Sequence, residues 1–110
     1  MAVTVTWFNH ASFRIASDRA VVYIDPWKIP GRPADGDVVL VSHSHYDHLS
    51  AEDVTKVARK GAAVFGPPDV AAKLAGCKTL APGEQAQVGP NVKVRGVPLT
   101  LSARLPSSTF

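Results

Sequence analysis

"VVLVSHSHYDHLSAEDV", residues 38–54, is the stretch on which the fold turns. It opens as an apolar run, passes through His43, His45, Asp47 and His48 within six residues, and continues into a segment with helix-start signals. Three of the four histidines in the 110-residue chain fall in this one turn. The run "VVLVS" is apolar on both faces, which predicts a strand over 38–42 in the middle of its sheet. Ser50 is a natural N-cap with Asp53 three residues on, a carboxylate variant of the capping box. Lys56, Arg59 and Lys60 precede Gly61, and their charge suits the negative end of a helix dipole, so a helix is expected over 51–60.

Working outward, "AAVFG" at 62–66 reads as the next strand. "PPDVAAKLAG" reads as a second short helix, with proline at its start and Gly76 at its stop. The motif therefore sits inside a βαβα run. Upstream, "VTVTWFN" at 3–9 alternates with period two and predicts a strand that buries the side carrying Val3, Val5 and Trp7. "SFRIA" at 12–16 and "AVVYID" at 20–25 flank a turn and predict a hairpin. Residues 26–37 hold three prolines and two glycines, an irregular loop. Downstream, "EQAQV" and "NVKVRGV" flank Gly89 and Pro90 and predict another hairpin.

Composition sets the outer bounds. Hydrophobic residues make up 45% and charged residues 19%, the balance of a folded globular chain. The length predicts a single domain over 1–110. The net charge of +3 is mild and no block of like charges occurs, so nucleic-acid binding is not expected. No apolar run approaches a membrane span or a signal h-region, which predicts a cytoplasmic protein with no membrane partner. The single Cys77 fits a reducing compartment and is expected to be a small buried thiol.

Side chains two apart in an extended segment point the same way, so His43 and His45 can converge on one ion. Asp47 and His48 follow after the chain turns, positioned to face a second ion. Imidazole with carboxylate and no thiolate suits zinc, and iron or manganese accept the same set. A serine nucleophile is disfavoured because no strand–elbow–helix motif surrounds Ser42 or Ser44.

His43, Ser44, His45, Tyr46, Asp47 and His48 spell H-x-H-x-D-H, and in this the chain resembles the metallo-β-lactamase superfamily. "WFNHASFRI", "YIDPW", "VVLVSHSHYDHLS" and "LAPGEQAQVGPNVKVRGVP" follow in the order seen in its ascorbate-6-phosphate-lactonase-like branch, a likeness over residues 3–98. The resemblance implies an α/β fold, the N-terminal half of an αββα sandwich with a mixed sheet and two short helices. It implies two divalent ions, His43 and His45 on the first, Asp47 and His48 on the second. It also implies a hydrolase in which metal-bound hydroxide attacks an ester, lactone or phosphodiester of a small-molecule substrate, with Asp47 as a catalytic residue. Asp25 in "YIDPW" matches an aspartate that steadies the metal loop. His10 lies in a connection that overhangs the metal mouth in the family, a candidate substrate or metal contact.

The family's later ligands, a third histidine for the first ion, a bridging aspartate and a further histidine, have no counterpart in "LTLSARLPSSTF" after Pro98. Leu101 stands near the place of that third histidine. The chain thus resembles half an enzyme, expected either to pair with itself or with a complementing C-terminal half, or to act as a noncatalytic metal-binding module. A nuclease is the weakest of these readings, for want of a basic surface.

Overall fold

The computed structural model describes residues 3–9, 11–42, 50–80, 83–88 and 92–95. Six strands form one sheet in the order β1-β2-β3-β4-β5-β6, and β7 and β8 form a separate two-stranded sheet. The strands are β1 (Thr4–Asn9), β2 (Ser12–Ala16), β3 (Val21–Ile24), β4 (Gly36–Leu40), β5 (Ala58–Gly66), β6 (Lys78–Thr79), β7 (Gln85–Val88) and β8 (Val92–Arg95). Helix α1 (Ala51–Val57) joins β4 to β5, and α2 (Pro68–Lys73) joins β5 to β6. The first three strands form an antiparallel meander, whereas β3 to β6 run parallel. Two short helices on a mixed sheet are what the sequence predicts.

Register follows from which faces are apolar. On β4, Val39 turns toward the helices and Val38 toward the opposite face, and both are fully buried, as expected of a central strand. The helical face gathers Tyr23, Ile29, Val39 and Val41 against Val54 and Val57 of α1 and Val70 and Leu74 near α2. The opposite face gathers Val38 and Phe65 against Val94 of the β7–β8 hairpin. Both layers on β4 and β5 are therefore covered, and burial of this kind contributes roughly 1.5–3 kcal/mol per large aliphatic side chain.

The first strand departs from expectation. Val3, Val5 and Trp7 do share a face, but they are 59%, 60% and 63% exposed. β1 is an edge strand, and its partners Phe13 and Ile15 on β2 carry the same face across to Ile24 and Val22 on β3. The β7–β8 hairpin covers the far side of this face, over β4 and β5, leaving an apolar strip on β1.

Helix α1 also ends earlier than expected, at Val57 rather than residue 60. Ala58 pairs with Gly36 of β4, and Arg59 forms an ion pair with Asp37, so strand contacts take the residues whose charges suit a helix C-terminus. The register then jumps from Gly36↔Ala58 to Val38↔Ala63, a bulge that contains Gly61 at φ +83. Of the three basic residues, only Lys56 lies in the last helical turn. The strand expected at 38–42 instead starts at Gly36, where a Cβ would approach Tyr23 Cδ1 to 2.9 Å and Val57 O to 3.0 Å. Cys77 is only partly buried, set against the helical core, and burial raises its thiol above the ordinary range.

The end of the sheet where β3 and β4 begin is locked by carboxylates. Tyr23 Oη donates to Asp35 Oδ1 at 2.7 Å while Arg14 pairs with Asp35 Oδ2 at 2.7 Å. Burial first, then the Asp35 hydrogen bond, pushes the Tyr23 phenol up to about 12. Asp37 accepts the Val21 N–H at 2.8 Å as well as the Arg59 guanidinium.

Two substitutions check this packing by chemical denaturation. Gly66→Ala places a Cβ 2.9 Å from Val70 Cγ1 and 3.2 Å from the Val41 carbonyl, and should cost about 1–3 kcal/mol as overpacking does. Ala34, exposed and at φ 50, should gain from glycine: relief of about 1–2 kcal/mol of left-handed strain outweighs about 0.4–1 kcal/mol of added unfolded-state entropy.

Candidate functional site

The C-terminal ends of β3 and β4 lie side by side, because the two strands are parallel neighbours. Asp25 directly follows β3. Its N–H donates to the Leu40 carbonyl at 2.7 Å, which turns the carboxylate toward the end of β4. There Asp25 Oδ1 accepts the Ser42 N–H at 2.6 Å and Oδ2 accepts the Ser42 hydroxyl at 2.6 Å. Asp25 is 2% exposed, so a buried carboxylate grips both donors of the residue immediately before His43. Charge-assisted pairs of this length are the strong ones.

His43, His45, Asp47 and His48 lie outside the described residues, as does His10. What the structure shows is how the segment that carries the motif is held at either side. At its far side Ser50 caps α1, its Oγ accepting the Asp53 N–H at 3.2 Å. Asp53 was expected to complete a capping box. Its carboxylate reaches elsewhere: Oδ2 accepts the Lys28 N–H at 2.9 Å and Oδ1 the Ile29 N–H at 3.0 Å. Burial alone would raise the Asp53 carboxyl, but the Ile29, Ser50 and Lys28 hydrogen bonds and the Lys56 charge together hold it below the usual carboxylate range.

The loop 26–29 is thereby anchored to every neighbour. The Trp27 N–H donates to the fully buried Ser12 hydroxyl at 3.3 Å, and Asn9 Nδ2 donates to the Trp27 carbonyl at 2.9 Å. Lys56 Nζ donates to the Ile29 carbonyl at 3.0 Å, and Lys28 Nζ stands 4.5 Å over the Trp27 ring. Asn9 Oδ1 is buried with no hydrogen-bond partner among the described residues. Asp25 and Lys28 occupy left-handed backbone at φ 45 and φ 54, a conformation that persists in non-glycine residues only where the surroundings enforce it.

Reading the sequence by itself misses Ser42 as the partner of Asp25 and Asp53 as the anchor of 28–29. The Ser42 hydroxyl is committed to Asp25. A capping pattern explains Asp53 locally, so no signal in the sequence separates its two uses. Among the described residues no group of three or more His, Cys, Asp or Glu comes together to hold an ion. The only ligand-rich segment in the sequence is the motif itself.

These features place the chain among known proteins. A family model described as the beta-lactamase superfamily domain matches residues 4–108, and the chain belongs to that superfamily. Over 105 residues it is 37% identical to a UPF0173 metal-dependent hydrolase of Methanoculleus marisnigri, covering 94% of this chain and 43% of that protein. A UPF0173 metal-dependent hydrolase of Methanopyrus kandleri is 33% identical over 105 residues, covering 87% of this chain and 44% of the relative. The chain thus spans less than half the length of these relatives. Among solved structures, the fold is similar to a putative metal-dependent hydrolase from Parabacteroides distasonis, with a TM-score of 0.74 over 87% of this chain and 45% of that one, at 23% identity. It is also similar to Igni18, a metallo hydrolase from Ignicoccus hospitalis, with a TM-score of 0.64 over 87% of this chain and 48% of that one, at 24% identity.

The carboxylates define two measurable expectations. Asp25→Ala strands both Ser42 donors and should cost about 3 kcal/mol in urea unfolding, whereas Asp25→Asn, which keeps one acceptor and offers its amide to the hydroxyl, should cost about 1 kcal/mol. Asp53, Asp35 and Asp37 all have lowered folded-state values, so each contributes stability that is present above the ordinary carboxylate range. That contribution is lost as pH falls through the depressed folded values, and unfolding free energy should decline below about pH 5. Asp53→Asn should flatten this decline in a pH series of denaturation curves.

Proposed function

We propose that the chain is the metal-binding half of a divalent-metal-dependent hydrolase acting on an ester, lactone or phosphodiester of a small molecule. The observation that supports this reading is the buried Asp25 carboxylate holding Ser42, the residue just before the H-x-H-x-D-H segment. The donor set fits a borderline ion: three imidazoles and a carboxylate, with no thiolate beside them. Zinc is the ion it suits, with iron or manganese as alternatives. His43 and His45 would hold the first ion, Asp47 and His48 the second, and His10 would contact substrate or metal. A bound ion of this kind supplies Lewis acidity and lowers the pKa of its water to about 7. Asp47 would additionally orient a water at the site, while Asp25 would steady the segment through Ser42. The ascorbate-6-phosphate-lactonase-like branch and a cytoplasmic location belong to the same proposal; among the described residues no helix is long and apolar enough to cross a membrane.

The exposed face of Val3, Val5 and Trp7 favours a companion layer. The relatives are more than twice the matched length, and a complementing half is the natural cover for an apolar strip on an edge strand. By itself the chain should then self-associate. Light scattering at high micromolar concentration should report a species larger than the monomer, and Val5→Lys should shift it to monomer with the fold unchanged.

Metal analysis tests the site directly. With two imidazoles for one ion and an aspartate plus an imidazole for the other, the chain should retain well under two ions after dialysis and lose them to a mild chelator. Two tightly held ions would mean that other residues complete the site, and no uptake under added zinc would favour the noncatalytic module. Any turnover of a generic phosphodiester or lactone should vanish in Asp47→Ala.

A further inference from the structure

We propose that Asp53 is a positioning residue for the metal-binding segment, fixing its C-terminal end as Asp25 fixes its N-terminal end. The proposal rests on the metal reading of residues 43–48 given above. Five hydrogen bonds and one short stretch of chain connect Ser42 to Ser50. Ser42 is held by Asp25, the chain runs from Asp25 to Lys28 and Ile29, their N–H groups are held by Asp53, and the Asp53 N–H is held by the side chain of Ser50. The two residues that flank the segment, Ser42 and Ser50, are thus tied together through one short loop rather than each to its own element.

Capping alone does not call for this arrangement. A solvated acid in the first turn of a helix satisfies the dipole and the free N–H groups, and Glu52 beside it is such an acid. Asp53 is instead 6% exposed, and both its oxygens go to a loop 24 and 25 residues away in sequence. Lys56, one helical turn on, repeats the attachment by donating to the Ile29 carbonyl while standing 3.6 Å from Asp53 Oδ1. The same loop carries left-handed backbone at both Asp25 and Lys28, each gripped by one of the two carboxylate pairs. Strain of this kind concentrates where a chain must present groups in a fixed geometry. Coordination demands it, since ligands must converge to within a few tenths of an ångström.

The test is a Co(II) titration of the full chain, read by visible absorption, with wild type, Asp53→Asn, Asp53→Ala and Val70→Ala. Asp53→Asn keeps the shape but turns an amide NH2 toward one of the two backbone donors. Val70→Ala destabilises α2 through a fully buried residue of another element, and so controls for loss of stability alone. Both Asp53 variants should bind Co(II) roughly tenfold more weakly or worse, with an altered d–d band, the range seen when groups behind a metal's ligands are removed. Val70→Ala should keep the wild-type affinity and spectrum despite its lower Tm. Asp53 variants that lose Tm but keep both affinity and band would overturn the positioning role and leave the metal reading intact. A folded wild-type chain with no cobalt band would overturn the metal reading, and this proposal with it.

Discussion

A single buried carboxylate joins the C-terminal ends of β3 and β4. Asp25 ends β3 in left-handed backbone, donates its N–H to Leu40 and receives both the N–H and the hydroxyl of Ser42. Because β3 and β4 are parallel, their C-terminal ends come out at the same edge, and one short side chain can join them.

The opposite end of the same strands shows how differently carboxylates can be used. Asp35 and Asp37 engage Tyr23, Arg14, Arg59 and the Val21 N–H, partly exposed and directed at closing the sheet. There the charges lock register. At the Asp25 and Asp53 end they hold strained backbone, at φ 45 and φ 54, against the start of α1.

The sheet is covered unevenly. β4 and β5 are covered on both faces, by two helices and by the β7–β8 hairpin, whereas β1 turns Val3, Val5 and Trp7 outward. The alternation in "VTVTWFN" predicts a strand with this side buried, and among the described residues the side is exposed. Local pattern specifies which side is apolar, but not which element covers it.

Much of this protein is legible in local chemistry. The doubly apolar "VVLVS" marks a central strand, Ser50 marks the helix start, prolines mark α2, and the histidine cluster marks the segment where metal chemistry would reside. These are short-range facts, set by side-chain periodicity, capping and ligand type. The end of α1 was not legible, because Gly36 and Asp37 on β4 claim Ala58 and Arg59 for the sheet, and that competition exists only after the strands meet. Nor were the partners of Asp25 and Asp53. Ser42 lies 17 residues from Asp25, and Lys28 lies 25 residues from Asp53. A carboxylate in a turn or a first helical turn has a sufficient local explanation, so its sequence neighbours carry no trace of the distant donor it accepts. Only the tertiary fold brings those donors within reach, and burial then makes the hydrogen bonds obligatory, because an unpaired carboxylate or N–H excluded from water is too costly to keep.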